Sequence, residues 1–122
     1  MNVILSLFIL FMYLYPMQIG LLIEATLKEL TARGQGFYIL QRGNYASGLI
    51  AVKLNALNGQ CRLLVQQRDY LKDRLEWAPA LQDETVSESE ADSWIERSKM
   101  RDPDLWVIEV EDRAMHNPFE NL

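Results

Sequence analysis

The sequence predicts an α+β domain in which a helix, an antiparallel meander of three or four strands, a second helix and a final strand follow one another. Three observations support this prediction: an amphipathic segment after Met17, an Asn-Gly turn between two alternating segments, and a capped helix that ends at Asp102-Pro103 before a last strand. For this order of elements we expect both helices to pack on one face of a mostly antiparallel sheet.

The first helix is predicted from apolar residues that recur at helical spacing after Met17. Its apolar face consists of Ile19, Leu22, Ile23, Leu27 and Leu30. Residues three and four apart lie on the same side of a helix, so this face is expected to be buried. Gly34 then supplies the residue that commonly ends a helix, because glycine tolerates a positive φ.

Residues 1–16 form an uncharged, apolar extension ahead of this helix. A membrane helix needs about 20 apolar residues, and Pro16, Gln18 and Gly20 break this run near its end, which leaves a marginal span. A secretory signal carries a basic start and a small-residue cleavage site, and neither is visible here. We favour a true start of translation at Met17, with a membrane anchor and a signal as alternatives. Membrane contact is therefore expected only if residues 1–16 are genuine.

Short apolar segments joined by turn residues follow Gly34. The predicted strands cover residues 36–41, 49–55, 60–66 and, as a short fourth strand, 75–77. The first is apolar on both faces, so we expect it inside the sheet. Asn58-Gly59 joins the second and third strands as a hairpin, since both residues tolerate the positive φ of a type I′ turn. Residues 67–74 are interpreted as a polar connection.

The second helix is marked at both ends. Ser87 and Glu90 have the spacing of a capping box, and Pro103 drives Asp102 out of the helical region. The face expected to be buried consists of Ala91, Trp94, Ile95 and Ser98. The helix should therefore begin at Ser87 and end at Asp102.

From Leu105 the apolar period becomes two, which predicts a strand. Its two faces are Trp106, Ile108 and Val110 on one side, and Leu105, Val107, Glu109 and Glu111 on the other. We expect Trp94 and Trp106 to meet between helix and sheet. Residues 114–122 are predicted to be a flexible tail, which leaves a single domain over residues 17–113.

Composition narrows the function classes. The 122 residues suffice for one domain. The net charge of −5 argues against non-specific nucleic-acid binding, which needs clustered Lys and Arg to displace counterions. Cys61 is the single cysteine, and we expect it to be a buried thiol in a reducing compartment. The predicted location is the cytoplasm, with an inner-membrane anchor as the alternative.

No catalytic constellation emerges from the motifs. His116 is the single histidine and lies in the predicted tail. The glycines match neither a dinucleotide-binding nor a P-loop spacing. Residues 49–55 and 60–66 hold no acid, so the metal site of nucleases with a similar order of elements would have no ligands there. No cofactor and no metal are predicted, and catalytic residues are left unassigned.

The candidate binding residues lie in two short segments. They are Arg42, Asn44, Asp102, Asp104, Trp106, Glu109 and Glu111. Arg42 beside a glycine turn suits an anion, although a plain strand connection is the preferred interpretation. Glu109 and Glu111 share a strand face about 7 Å apart, given a rise of about 3.3 Å per residue. Too few carboxylates converge for a cation, so we favour solvated glutamates that pair with Arg62, Lys53 or Arg113.

The chain resembles a family of short bacterial proteins, mostly from alphaproteobacteria, known as domain of unknown function 1491. The resemblance covers residues 21–113 and depends on Arg42-Gly43, on residues 46–53 and above all on residues 90–92 with 102–113. Members usually carry an acid where Asn44 stands and usually begin close to Met17. The family brings no established activity, so the resemblance implies a fold and assigns no site residue.

The leading hypothesis is a small non-enzymatic interaction module in which a sheet face or edge binds an unknown protein partner. Trp77, Trp94 and Trp106 would either fill the core or leave an apolar patch for that partner. One alternative is an enzyme or small-molecule-binding domain with a site near Arg42, Asp104 and Glu109. Another is a membrane-tethered accessory domain, which depends wholly on residues 1–16.

Overall fold

The structure of the chain, a computed structural model, describes residue 3 and residues 18–122. In chain order the elements of residues 18–122 are α1 (Ile19–Ala32), β1 (Phe37–Gln41), β2 (Ile50–Asn55), β3 (Gln60–Asp69), β4 (Arg74–Pro79), β5 (Val86–Ser87), α2 (Glu88–Arg101) and β6 (Trp106–Glu111). The apolar extension predicted over residues 1–16 lies outside the described residues, apart from residue 3. The predicted start at Met17 lies outside them as well.

The α+β class is confirmed, whereas the predicted meander is only partly correct. β2, β3 and β4 pair antiparallel in succession. β6, however, lies between β1 and β2 in the sheet order β1-β6-β2-β3-β4, and β5 pairs with the start of β3. β6 runs antiparallel to β1 and parallel to β2, so the sheet is mixed.

The burial of β6 and β2 explains this order. Trp106, Val107 and Ile108 are successive residues of β6 that point to opposite faces, and all three are buried. A strand that is apolar on both faces removes more apolar surface from water inside a sheet than at its edge. β1, which we expected inside the sheet, is instead an edge strand, and the side chain of Tyr38 is exposed there.

The two helices lie on opposite faces of the sheet, and not on one face as predicted. Along β2, Ile50 and Val52 belong to the core that contains residues of α1, whereas Ala51 belongs to the core that contains residues of α2. Trp106 lies in the α1 core and Trp94 borders the α2 core, so the expected contact between these two tryptophans is wrong. Central strands that are apolar on both faces need cover on both.

The predicted helix boundaries are close to the observed ones. Gly34 follows α1 with a φ of 71°, as its role at the helix end requires. At the start of α2, the Ser87 hydroxyl accepts a hydrogen bond from the Glu90 N–H at 3.2 Å, and Arg101 is the last helical residue. In the described part of the chain, no helix has both the length and the hydropathy needed to cross a membrane.

The predicted hairpin joins β2 and β3, but its turn differs from the type expected. Positive φ falls on Leu57 at 63° and on Gly59 at 87°, and not on Asn58. Side-chain oxygens shape the turn, because Asn55 Oδ1 accepts the Leu57 N–H and Asn58 Oδ1 accepts the Gln60 N–H. These two local bonds compete with the regular type I′ geometry.

The C-terminal segment, residues 112–122, packs on the α1 face of the sheet and does not extend as the flexible tail we predicted. Phe119 is fully buried in the α1 core, and Met115 and Leu122 border that core. The Gln66 side-chain amide donates to the carbonyl oxygen of Leu122 at 3.1 Å. Burial of one aromatic ring removes enough apolar area from water to fix a short segment. The polar residues around Phe119 conceal this anchor in the sequence.

Candidate functional site

The structure divides the predicted site residues between the two ends of β6. Arg42, Asn44, Asp102, Asp104 and the start of β6 at Trp106 lie at one end. Glu109 and Glu111 lie toward the other end, and Glu109 is about 10 Å further along the strand than Trp106 at about 3.3 Å per residue.

At the first end, the loop after β1 is held against the start of β6 by hydrogen bonds to main-chain carbonyls. The Asn44 N–H donates to the Asp104 carbonyl at 2.9 Å, and the buried Trp106 indole donates to the Asn44 carbonyl at 2.9 Å. A Cβ at Gly43 would collide with the Asp104 carbonyl oxygen. Arg42 is exposed beside this contact. The glycine here permits close approach of two chain segments, which accounts for its place in the sequence.

Asp102 shapes the turn with both its carboxylate and its main-chain carbonyl. Asp102 Oδ1 accepts the Asp104 N–H at 3.1 Å, and the Gln41 amide donates to the Asp102 carbonyl at 3.0 Å. Both aspartates are exposed. The arrangement orients the turn between α2 and β6 and brings no two carboxylates onto a common point.

At the other end of β6, Glu109 takes part in a buried ionic cluster that we define as the Lys53 cluster: Lys53, Asn55, Glu88, Asp92 and Glu109. The Lys53 ammonium lies 2.9 Å from Glu88, 2.7 Å from Asp92 and 3.3 Å from Glu109. Asn55 donates to both Glu88 and Glu109, at 3.2 and 3.0 Å. β2, α2 and β6 are thereby joined through one lysine.

Burial in this cluster is uneven. The Lys53 side chain is 2% exposed and that of Glu109 is 14% exposed, whereas Glu88 and Asp92 are about half exposed at 45% and 54%. Burial opposes the charged form of Lys53, but its hydrogen bonds with Asp92 and Glu88 and the charge of Glu109 outweigh that cost and raise its pKa. The contacts of Lys53 therefore favour its charged form, in which it links β2, α2 and β6.

Cys61 lies next to this cluster in the β2–β3 pair, opposite Asn55. The thiol is fully buried. Burial raises its pKa from 9.0 to about 11, with the charge of Lys53 opposing that rise. A thiol that stays protonated at neutral pH is a poor nucleophile. In residues 18–122, no group of three or more His, Cys, Asp or Glu residues is arranged to hold a metal ion.

Glu111 lies near the end of β6, where its carboxylate accepts a hydrogen bond from the Tyr38 hydroxyl at 3.3 Å. Its main-chain N–H donates to the Gly36 carbonyl at 2.9 Å. Glu109 thus pairs with Lys53, one of the three basic residues we considered, and Glu111 contacts a tyrosine on the edge strand. The structure brings neither glutamate to Arg42 or Asp104.

Two highly exposed apolar side chains, Tyr70 and Leu71, lie in a segment that we interpreted as a polar connection. β3 pairs with β2 only as far as Val65, which faces Ala51. It continues with β4 alone to the pair Asp69 and Arg74. Residues 66–77 therefore form a two-stranded ribbon that projects past the end of β2. We call this segment the β3–β4 ribbon.

The tip of the β3–β4 ribbon is apolar. Tyr70 is 84% exposed and Leu71 is 100% exposed. Asp69 Oδ1 accepts the N–H groups of Leu71 and Lys72 at 3.0 and 3.2 Å, and Asp73 adopts a positive φ of 50°. The turn is thus held by local hydrogen bonds while two large apolar side chains face solvent.

The charges of the ribbon are matched within it. Arg68 pairs with Asp73. Lys72 lies 3.8 Å from Asp69 and 3.3 Å from Glu76, and Arg74 lies 3.2 Å from Glu76. Three basic and three acidic side chains leave no net charge on this element. The ribbon therefore offers a partner apolar contact without a strong electrostatic field.

A shallow groove of about 360 Å³ lies at the base of the ribbon. It is lined by Ile19, Leu22, Ala46, Ser47, Gly48, Leu49, Arg68, Leu75 and Leu122. Leu49 and Leu75 are partly exposed, at 36% and 37%. Apolar surface is thus also present at the base of the ribbon, near the start of α1. Trp106 is buried, and Trp77 and Trp94 are partly buried.

Sequence reasoning overlooked this surface because one short apolar pair is surrounded by charge. The signal that could have revealed it is Tyr70-Leu71 itself, which interrupts a stretch of six charged residues between 68 and 76. An apolar pair at the centre of a charged turn has no core to enter, so its exposure is the natural outcome.

These features define a small α+β domain with a mixed sheet between two helices, a structural ionic cluster and a projecting apolar ribbon. A model of the family described as "Protein of unknown function (DUF1491)" matches residues 17–120. The chain belongs to this family, which confirms the resemblance inferred from the sequence. Comparison with curated proteins gives no match.

Three solved structures of low sequence identity have a similar fold. A crystal structure of a DUF1491 family protein from Caulobacter crescentus CB15 has a TM-score of 0.67 at 23% identity, and covers 80% of this chain and 89% of that one. An NMR structure of a DUF1491 family protein from the same organism has a TM-score of 0.70 at 22% identity, with 84% and 91% covered. The solution structure of protein Atu0922 from A. tumefaciens has a TM-score of 0.59 at 23% identity, with 79% and 86% covered. At these identities the likeness establishes the fold alone.

Proposed function

We propose that this protein is a small non-enzymatic module that binds a protein partner through the tip of the β3–β4 ribbon. The observation that carries the proposal is the exposure of Tyr70 and Leu71, at 84% and 100%, on an element that extends past the sheet. Contiguous exposed apolar surface marks interaction sites, and Tyr70 and Leu71 are adjacent in the chain. A tyrosine is among the side chains that most often dominate binding energy.

The charge balance of the ribbon favours a partner of a particular chemistry. Because the six charged side chains between residues 68 and 76 pair among themselves, they are not available to steer an oppositely charged surface. The fitting partner offers an apolar cleft that receives Tyr70 and Leu71, with few charges inside it. Such an interface depends on burial of apolar area and only weakly on salt.

The geometry of the turn lowers the entropic cost of binding. Asp69 holds two N–H groups of the turn, and the ladder of β3 and β4 continues up to it. Side chains presented on an ordered turn lose less freedom on binding than the same side chains on a disordered loop. We place this interaction in the cytoplasm, a proposal supported by the single, reduced and buried Cys61.

The alternatives have weaker support. A small-molecule site or enzyme centre near Arg42, Asp104 and Glu109 would need these residues to converge, yet the contacts of Glu109 are with Lys53 and Asn55. A membrane-tethered accessory domain depends on residues 1–16, and the contacts described above give it no support. No specific observation favours either alternative over the ribbon.

The proposal is tested by site-specific photocrosslinking in a lysate of the source organism. p-Benzoylphenylalanine replaces Leu71 in one variant and Met100 in a matched control, because Met100 is also apolar and is 87% exposed on α2. We expect a discrete crosslinked protein from position 71 and not from position 100. Unlabelled wild-type protein should compete for it, whereas a Tyr70→Ser, Leu71→Ser variant should not.

Two outcomes contradict the proposal. If both positions give the same set of products, the ribbon has no specific partner. If the product at position 71 contains only a second copy of this chain, the surface serves self-association, and a heterologous partner is excluded for it.

A further inference from the structure

A separate cleft lies on the α1 face between the C-terminal segment and strands β3 and β4. Its volume is about 370 Å³, and its lining consists of Arg62, Leu64, Trp77, His116, Asn117 and Glu120. This volume is within the usual range of small-molecule sites, about 300–1,000 Å³. Trp77 is the last residue of the β3–β4 ribbon, but no residue of this cleft belongs to the ribbon tip or to the Lys53 cluster.

The guanidinium of Arg62 is the distinctive group in this cleft. Its Nη1 donates to the Met115 carbonyl at 3.0 Å, which fixes the side chain. Its Nε is buried and has no hydrogen-bond partner. Within the described residues, it is the one buried side-chain nitrogen or oxygen atom in this condition. A buried donor without an acceptor is costly, so an acceptor that a ligand placed at this nitrogen would be stabilising.

The free edge of this guanidinium has the geometry of a carboxylate receptor. Nε and Nη2 point in parallel, and their spacing matches the two oxygens of a planar carboxylate. Because Nη1 is already engaged by Met115, the Nε–Nη2 edge is the one available for a bidentate contact.

The walls of the cleft suit an apolar body attached to that carboxylate. Leu64 is buried and Trp77 is partly buried, and both line the cleft on its sheet side. The opposite wall is held in place, since Asp112 accepts the N–H groups of Ala114 and His116 and Phe119 is anchored in the core. A flat ring can therefore lie against Trp77 in a preformed space.

The charge around the cleft restricts the ligand to a single negative charge. Glu120 lines the same cleft, and the whole chain carries a net charge of −5. Both oppose a phosphate dianion more than a monocarboxylate. The His116 side chain also lines the cleft and is 85% exposed, so it is free to adjust to a ligand without disturbing the core.

We propose that this cleft binds a small organic monocarboxylate with an aromatic or branched apolar body. The carboxylate occupies the Nε–Nη2 edge of Arg62, and the body contacts Trp77 and Leu64. This site is independent of the proposed protein-binding function, and neither requires the other.

The test uses benzoate as the probe and NMR signals of the protein as the readout. In a ¹⁵N-labelled sample, benzoate should shift the Arg62 Nε–H and the Trp77 indole signals saturably. Arg62→Lys keeps the positive charge but loses the two parallel N–H donors of the guanidinium, and it should weaken the affinity for benzoate by about tenfold or more. Arg97→Lys, an exposed arginine on α2, is the matched control and should bind benzoate as the wild type does. Trp77→Leu should weaken binding while leaving the Arg62 signal responsive at higher benzoate concentration.

Several results would overturn the assignment. They are the absence of any saturable shift at Arg62, an unchanged benzoate affinity in Arg62→Lys, and equal binding of the neutral analogue benzamide by the wild-type protein. Inorganic phosphate that binds as tightly as benzoate would also overturn it, because the cleft would then be a general anion site. The benzamide and phosphate arms use the wild-type chain, so they hold even if a variant folds poorly.

Discussion

The Lys53 cluster and the β3–β4 ribbon both concentrate charge, but they place it in opposite environments. Lys53 is 2% exposed and joins three elements through carboxylates from α2 and β6. In the ribbon, Arg68, Lys72 and Arg74 are 45%, 57% and 62% exposed, and their partners come from the same hairpin. One region buries charge between elements, and the other exposes charge along a single element.

This difference separates the residues that stabilise the fold from those available to bind a partner. Removing one partner of a buried ion pair leaves charge without compensation, and this is costly, whereas an exposed pair contributes little. The apolar tip of the ribbon contributes no burial energy in the free chain, because it is exposed to water. It contributes favourable free energy when a partner covers it and removes its apolar surface from water. The stability of the fold should therefore depend on Lys53, and binding should depend on Tyr70 and Leu71.

The largest effect on stability is expected for Lys53→Met. The variant leaves Glu88, Asp92 and Glu109 without their common counter-ion, and it should lower the free energy of unfolding by about 3 kcal/mol. Urea denaturation followed by circular dichroism measures this change. A double variant that adds Glu109→Gln should recover at least a third of the loss, because it removes the most buried unpaired carboxylate. A loss below about 1 kcal/mol in the single variant would mean that the cluster is not a main support of the fold.

The second effect is a loss of stability at alkaline pH through Cys61. Its pKa is 9.0 in its ordinary state and about 11 in the fold, so the unfolded chain releases this proton first. The free energy of unfolding should then fall by about 2 kcal/mol as pH rises from about 9 to 11. Lys53 acts in the same direction at higher pH, because the fold raises its pKa above the ordinary value of 10.5. Its contribution to the free energy of unfolding is complete below that ordinary pKa and is lost as pH rises through the pKa of the folded state.

Cys61→Ala isolates the thiol. The difference in unfolding free energy between wild type and this variant, measured in urea at several pH values, should shrink as pH rises through this range. A difference that stays constant with pH would contradict the assigned ionisation of Cys61. The native thiol should also react with a disulfide reagent only after denaturation.

A smaller effect is expected for Ser87→Ala. Its hydroxyl accepts the Glu90 N–H at the start of α2, and loss of such a cap costs about 1 kcal/mol. Because Glu88 begins the same helix turn and contacts Lys53, fraying should also weaken the Lys53 cluster. Ser93→Ala, an exposed site in the same helix, is the control and should leave the unfolding midpoint unchanged.

The smallest effect is expected for Lys72→Met, which is the exposed counterpart of Lys53→Met. Its pairs with Asp69 and Glu76 lie on the surface, and such pairs contribute about 0–1 kcal/mol. We expect a change within about 0.5 kcal/mol by urea denaturation. A cost near that of Lys53→Met would remove the distinction between the two regions.

Features set by neighbouring residues were predictable from the sequence. The cap at Ser87, the helix end before Pro103 and the hairpin after Asn55 each depend on a few adjacent side chains, and the structure contains all three. Among the candidate site residues, Glu109 pairs with Lys53. The sequence had left Lys53, Arg62 and Arg113 open as its basic partner.

Features set by distant pairing were not predictable. The insertion of β6 between β1 and β2 is a choice among strand partners that no local pattern specifies. Lys53 resembles an exposed residue in its strand until α2 covers it with two carboxylates. The burial of Phe119 and the exposure of Leu71 likewise follow from which surfaces the sheet leaves uncovered.

The central claim is that stability and binding reside in different regions, and a paired measurement on Tyr70→Ser, Leu71→Ser tests it most directly. The free energy of unfolding in urea and the recovery of the position-71 crosslink partner by wild-type and variant protein are measured side by side. The account predicts an unfolding free energy within about 0.5 kcal/mol of wild type, since exposed sites contribute little, together with loss of the partner. An unchanged recovery of the partner by a fully folded variant would contradict the account.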